Sequence, residues 1–139
     1  MLQVIARDVE RAMSDTPFVH QYGFRLHSTA PGECTIYFPF QKGFLRPDGL
    51  VSGPVLMAAA DLAMWLAVIT KLGEPGRAAV TVEMKTNFLS AARDEFWCTA
   101  KLLKLGGRLI FGTAECKDRD GLMLTHHTFT YVRQSAKPK

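Results

Sequence analysis

The spacing of apolar and polar positions changes period along this chain. In the stretch from Gly49 to Leu72, nearly every residue from Pro54 onward is apolar whichever helical face is followed, while the segments on either side alternate. A helix apolar all round is enclosed all round, in a protein core or in lipid. Pro54 suits the first turn, where its missing N–H costs nothing, and Gly73 with Pro75 ends the run. Upstream, Val4, Ile5, Val9 and Ala12 mark a short leading helix over residues 2–13 that Ser14-Asp15-Thr16-Pro17 closes. Residues 23–28 and 33–38 read as strands joined by the turn Thr29-Ala30-Pro31-Gly32, with Cys34, Ile36 and Phe38 on one side of the pleat. Residues 39–50, carrying Gly43, Pro47 and Gly49, form a loop that leads into the helix.

Four more strands follow the helix. Over residues 79–89, Val80, Val82, Met84 and Phe88 alternate with Thr81, Glu83, Lys85 and Asn87, which predicts a buried apolar side and a solvated polar one. Residues 95–104, 108–117 and 122–132 come next, with Met123, Phe129 and Tyr131 sharing a side of the last. Gly106-Gly107 and Arg119-Asp120-Gly121 read as hairpin turns, so the expected topology is an antiparallel meander. The order β-β-helix-β-β-β-β predicts an α+β fold, one curved antiparallel sheet around one long helix. A single sheet covers only part of that helix, so a second copy is expected to cover the rest.

One carboxylate, Asp61, interrupts the apolar helix. Its face carries Met57, Ala58, Met64 and Trp65, with no cation within a turn. Burying an unpaired carboxylate costs several kcal/mol, so Asp61 needs a reason. A membrane span fits the length, but a mid-helix Asp costs roughly 2.5–3.5 kcal/mol on insertion scales, and the flanking strands argue against it. A structural Asp bonded inside a core or interface is one reading. A catalytic carboxylate facing a cleft is the sharper one.

Length and composition bound the rest. The 139 residues read as a single domain with a disordered tail over 134–139. Hydrophobic content of 47% beside 22% charged residues is ordinary for a globular chain. The formal net charge of +4 draws partly on Arg133, Lys137 and Lys139, and no basic residues cluster with aromatics, so nucleic acid is not an expected partner. Cys34, Cys98 and Cys116 are widely spaced, without metal-ligand or C-x-x-C spacing, and read as buried structural thiols. His126 and His127, adjacent on a strand, point to opposite faces and cannot jointly hold a metal. The first residues lack signal-peptide character, so the cytoplasm is the expected compartment and no membrane partner is expected.

Gly-Leu-Val-Ser-Gly-Pro leading into an Ala-rich helix with Asp61, the run from Val80 to Arg93, and Gly106-Gly107-Arg108 together resemble the hotdog-fold acyl-CoA thioesterases of the PaaI-like type. The resemblance runs from about Gly23 to Val132 by element order. It implies hydrolysis of a CoA thioester without metal or redox cofactor, in a dimer or tetramer whose site is shared between subunits. By that resemblance Asp61 is general base or nucleophile, the Gly53 backbone N–H polarises the carbonyl, and the Thr81 hydroxyl holds the water or the carboxylate. Arg108 after Gly107 would contact CoA phosphates, with Arg93, Arg46 and Gly49 near the same ligand. Two positions depart from the pattern: Ser52 stands where relatives commonly have His, with Pro54 two positions on where they have Gly, and Arg46 where they often have Asn.

Physical chemistry gives independent support. A helix start offers unsatisfied N–H donors and about half a positive charge to a developing oxyanion, and Gly53 lets a ligand approach closely. Asp61 lies about 12 Å further along the helix at about 1.5 Å per residue, too far for both to reach one carbonyl, so a shared site is expected. Met57, Met64 and Trp65 offer apolar walls for an acyl or aryl group. Ser52 reads better as a helix cap than as a nucleophile, since no triad partners accompany it. A non-catalytic acyl-CoA-binding protein, sensor or carrier, is the alternative, supported by Ser52. Hydration of an enoyl thioester ranks third, because it needs a His beside the Asp.

Overall fold

A computed structural model describes residues 2–134; the expected tail, from residue 135 onward, lies outside the described residues. Six strands form one antiparallel sheet: β1 (Arg25–Ala30), β2 (Glu33–Phe38), β3 (Val80–Phe88), β4 (Phe96–Leu105), β5 (Leu109–Lys117) and β6 (Met123–Val132). Their spatial order is β1-β2-β4-β5-β6-β3. The helix α3 (Gly53–Leu72) lies along the concave side and packs chiefly on β2 and β4. Its length and composition would suit a membrane span, but it is the core helix, with 67% of its most apolar window buried.

Local chemistry explains these bounds. Pro54 sits in the first turn of α3, and Gly73, at φ +69°, closes the last by donating its N–H to the Ile69 carbonyl at 2.7 Å. Pro31-Gly32 makes the β1–β2 turn, with Gly32 at φ +75°, and the Gly32 N–H donates to Thr70 Oγ1 at 2.8 Å, tying that turn to the end of α3. Cys34, Ile36 and Phe38 all face the helix and are buried. The three cysteines are buried and free. His127 is a satisfied core residue, its ring held between the Thr86 and Thr125 hydroxyls at 2.8 and 2.7 Å.

Four features correct the sequence reading. The leading helix α1 (Leu2–Ser14) is followed by a second, α2 (Pro17–Tyr22), because Pro17 opens a helix there as readily as it ends one. Short 3₁₀ turns occupy Lys42–Phe44 and Glu74–Ala78. The last four strands are not a plain meander: β3 does not hairpin into β4 but crosses the sheet to pair with β6, and β4 pairs with β2. Finally, the expected phase of β3 changes at its start. Thr81 pairs with Tyr131 and Glu83 with Thr130, so Val82 is an extra, bulged residue. The bulge puts Thr81 and Met84 on the helix side and leaves Val82 outward.

Candidate active site

α3 presents one stripe away from the sheet: Pro54 is exposed, and Met57, Ala58, Asp61 and Trp65 are half-buried. These positions recur every three or four residues, as one helical face must. Asp61 therefore stands at the boundary between core and surface. Thr81 Oγ1 donates to Asp61 Oδ1 at 2.8 Å, and the Tyr131 hydroxyl donates to the same oxygen at 2.5 Å. Tyr131 also lies 2.9 Å from the Asp61 carbonyl oxygen, but its single proton goes to the nearer, charged acceptor. Burial first, then the charge of Asp61 and the hydrogen bond to it, hold the Tyr131 phenol well above its ordinary range, so it remains a donor. With Oδ1 engaged twice, Oδ2 is the oxygen left for chemistry.

A cavity of about 210 Å³ opens at this carboxylate, lined by Phe18, Leu62, Trp65, Val80 and Tyr131 among others. Trp65 donates its indole N–H to the Arg77 carbonyl at 3.1 Å, which fixes the ring as one wall. Met57 lies one turn before Asp61 on the same stripe. Met64 does not: it is fully buried against Gly112 of β5, so the expectation that it shares Asp61's face is corrected. A step of three residues turns a helix by 300°, enough to carry Met64 under the sheet.

The start of α3 forms a second cleft, of about 450 Å³, lined by Arg46, Leu50, Gly53, Leu56 and Phe88 among others. The Gly53 N–H precedes the first helical bond, and it has no partner among the described residues; Pro54 has no N–H to offer. A Cβ on Gly53 would stand 3.3 Å from the Phe88 ring, so the glycine keeps that amide open. Ser52 takes the N-cap position, but its hydroxyl makes no capping bond. Gly49, at φ +86°, turns the loop that brings Arg46 to the cleft, where Arg46 pairs with Asp48 at 3.0 Å. Arg93 is exposed just beyond Ala91 and Ala92 of the cleft wall. Gly107 and Arg108 are exposed at the β4–β5 turn, by the Val80 end of β3.

The expected residues thus fall into two groups within one chain. Asp61, Thr81 and Trp65 meet at one end of β3, with Gly107 and Arg108 nearby. Gly53, Ser52, Arg46, Gly49 and Arg93 gather at the other. Phe18 and Tyr131 join the first group without having been singled out as site residues. Tyr131 carried a signal in its alternation, which grouped it with Phe129 on one side of β6, but nothing in the spacing aimed its hydroxyl at Asp61. Among the described residues no group of three or more His, Cys, Asp or Glu side chains is arranged to hold a metal ion.

A thioesterase superfamily profile matches residues 48–125. A candidate esterase of Saccharolobus solfataricus is 32% identical over 91 residues, covering 65% of this chain and 64% of that protein, so the match spans less than two thirds of the relative. A solved thioesterase family protein of Silicibacter pomeroyi superposes with a TM-score of 0.85 at 26% identity, over 92% of this chain and 96% of its own. The PaaI protein of E. coli, from its phenylacetic acid degradation operon, superposes with a TM-score of 0.86 over 97% of this chain and 96% of its own, at 14% identity, a likeness of fold. The helix entrance, the whole of α3 and three of the six strands, β3, β4 and β5, fall within the matched stretch, and the chain belongs to the thioesterase superfamily with a hotdog-like fold.

Proposed function

We propose that this protein hydrolyses an acyl-CoA thioester to the free acid and CoA, in a site built by two copies of the chain. The observation that carries the reading is Asp61: a carboxylate pinned through one oxygen by two hydroxyl donors, at the mouth of an apolar cavity. Water attacks the thioester carbonyl carbon while Asp61 Oδ2 takes its proton, or Oδ2 itself attacks and water then releases the acid from the anhydride. In both routes the carbonyl oxygen gains negative charge that a backbone N–H can hold, the C–S bond breaks, and the thiolate leaves to be protonated.

The amide suited to that oxygen is Gly53 N–H, about 12 Å along α3 in the same chain. β3 is an edge strand, and its exposed Val80 (46%), Val82 (59%) and Phe88 (57%) are more apolar surface than an uncovered edge tolerates well. Antiparallel pairing of β3 with a second copy, about a two-fold near Met84, sets Thr81 against Phe88 of the partner subunit. Gly53 of the partner subunit then approaches Asp61. Arg46, Arg93 and Arg108, exposed at the rims, are the side chains we assign to the CoA phosphates.

The test is thiol release from a panel of acyl- and aryl-CoA substrates, comparing wild type with Asp61→Asn. The variant is expected to bind but to lose roughly 10²–10⁴ in rate, the usual worth of a positioned acid–base group. Equal rates remove Asp61 from the chemistry. Binding without turnover by the wild type supports instead a carrier or sensor of acyl-CoA.

A further inference from the structure

The cavity beside Asp61 has one wall that comes from outside the stretch shared with the superfamily profile. Phe18 belongs to α2, thirty residues before that stretch begins. α2 is a rigid support. Thr16 Oγ1 donates to the Ala12 carbonyl at 2.7 Å, Val19 is buried, and Gly23 closes the helix at φ +77°. Phe18 meets Tyr22 edge-on, with ring centres 6.2 Å apart, and Tyr22 stacks on Phe24 and Phe44 at 5.1 and 4.8 Å. A second tie fixes Phe18 relative to the opposite wall. Arg77 pairs with Asp15, just before α2, at 3.0 Å, and its carbonyl receives the Trp65 indole. The two aromatic walls are thereby indexed to each other through one residue.

The space beside Asp61 is small, apolar and open on one side. Of its side-chain polar atoms, Asp61 Oδ1 and the Thr81 and Tyr131 hydroxyls engage one another, which leaves Asp61 Oδ2. A volume of about 210 Å³ falls below the roughly 300–1,000 Å³ that encloses a whole drug-sized ligand. At about 30 Å³ for each water-sized group it holds roughly seven non-hydrogen atoms.

Building on the hydrolase reading, we propose that Phe18 is a specificity-determining residue, a stop that limits the acyl group to a short chain or a single ring. A longer chain meets the Phe18 ring, which the aromatic row behind it keeps from yielding. Shortening this residue lengthens the cavity, and enlarging it does the reverse.

The experiment measures kcat/KM for a ladder of saturated acyl-CoAs with wild type, Phe18→Ala and Phe18→Trp, each checked for folding by circular dichroism. The long-to-short ratio is expected to rise roughly tenfold or more in Phe18→Ala and to fall in Phe18→Trp, on the scale of methylene discrimination in apolar pockets. General loosening would lower all chain lengths in parallel, whereas a stop makes the profiles cross. If Phe18→Ala does not fold, Phe18→Trp and Phe18→Leu carry the comparison. Parallel or unchanged profiles in the folded variants overturn the assignment while leaving hydrolysis intact. A wild type that cleaves no CoA thioester overturns the hydrolase reading and this inference with it.

Discussion

Replacing Tyr131 by Phe removes one oxygen atom and keeps the ring that packs beneath α3. The ring is 1% exposed and meets Phe129 with centres 6.1 Å apart, so the apolar contacts survive the change. What is lost is the 2.5 Å bond to Asp61 Oδ1, leaving Thr81 as the remaining hydroxyl donor. A hydrogen bond to a charged group contributes about 1.5–3 kcal/mol. If that bond holds the carboxylate in its reactive orientation, kcat falls roughly 10- to 150-fold at about 1.4 kcal/mol per decade. KM moves less, because the cavity keeps its shape. Since the phenol stays protonated well beyond neutral pH, its own ionisation does not enter the comparison. The assay is steady-state thiol release at saturating substrate, with Thr81→Val and the double variant completing a cycle. The two single losses should not add, because both hydroxyls serve one oxygen. A Tyr131→Phe enzyme that keeps the wild-type kcat refutes the argument.

Three further outcomes follow from the packing. Gly112→Ala puts a Cβ 2.5 Å from Met64 Sδ and 2.8 Å from the Lys101 carbonyl, so urea denaturation should show a loss of about 1–3 kcal/mol, smaller when Met64 is also shortened to Ala. Burial, with the charge of Glu33 second, raises the Cys34 thiol from its ordinary 9.0 to about 12. A group harder to ionise in the folded chain adds stability that is complete below pH 9 and lost as pH rises toward 12; the stability gap between wild type and Cys34→Ala should narrow across that window, and a constant gap contradicts it. Val82→Glu places a charge on the exposed β3 edge, where self-association measured by sedimentation should weaken and specific activity fall with it, while monomer stability changes little.

Much of the frame was legible because it rests on local signals. Pro54 and Gly73 bound α3, and the alternation of Cys34, Ile36 and Phe38 identified the inner face of β2. Long-range pairing was not legible. No turn signal announces that β3 crosses the sheet to join β6, because that choice is made by burial of the whole helix. α2 was hidden because Pro17 is compatible with both an end and a beginning. In the site, Asp61 stood out as a charge in an apolar run, whereas Tyr131 resembled any other inward aromatic. Met64 shows the opposite error: helical spacing put it near Asp61, and a gap in β5 left by Gly112 drew it inward.

The bulge at Val82 makes the aim of Thr81 a matter of counting. A strand has two sides, and one supernumerary residue between Thr81 and Met84 reconciles a threonine and a methionine that strict alternation would turn opposite ways. Holding Val82 in regular pleat, without the bulge, would leave every side chain of this strand chemically unaltered yet rotate the hydroxyl toward bulk water. The partnership between Thr81 and Asp61 is thus encoded by odd versus even spacing as much as by residue type.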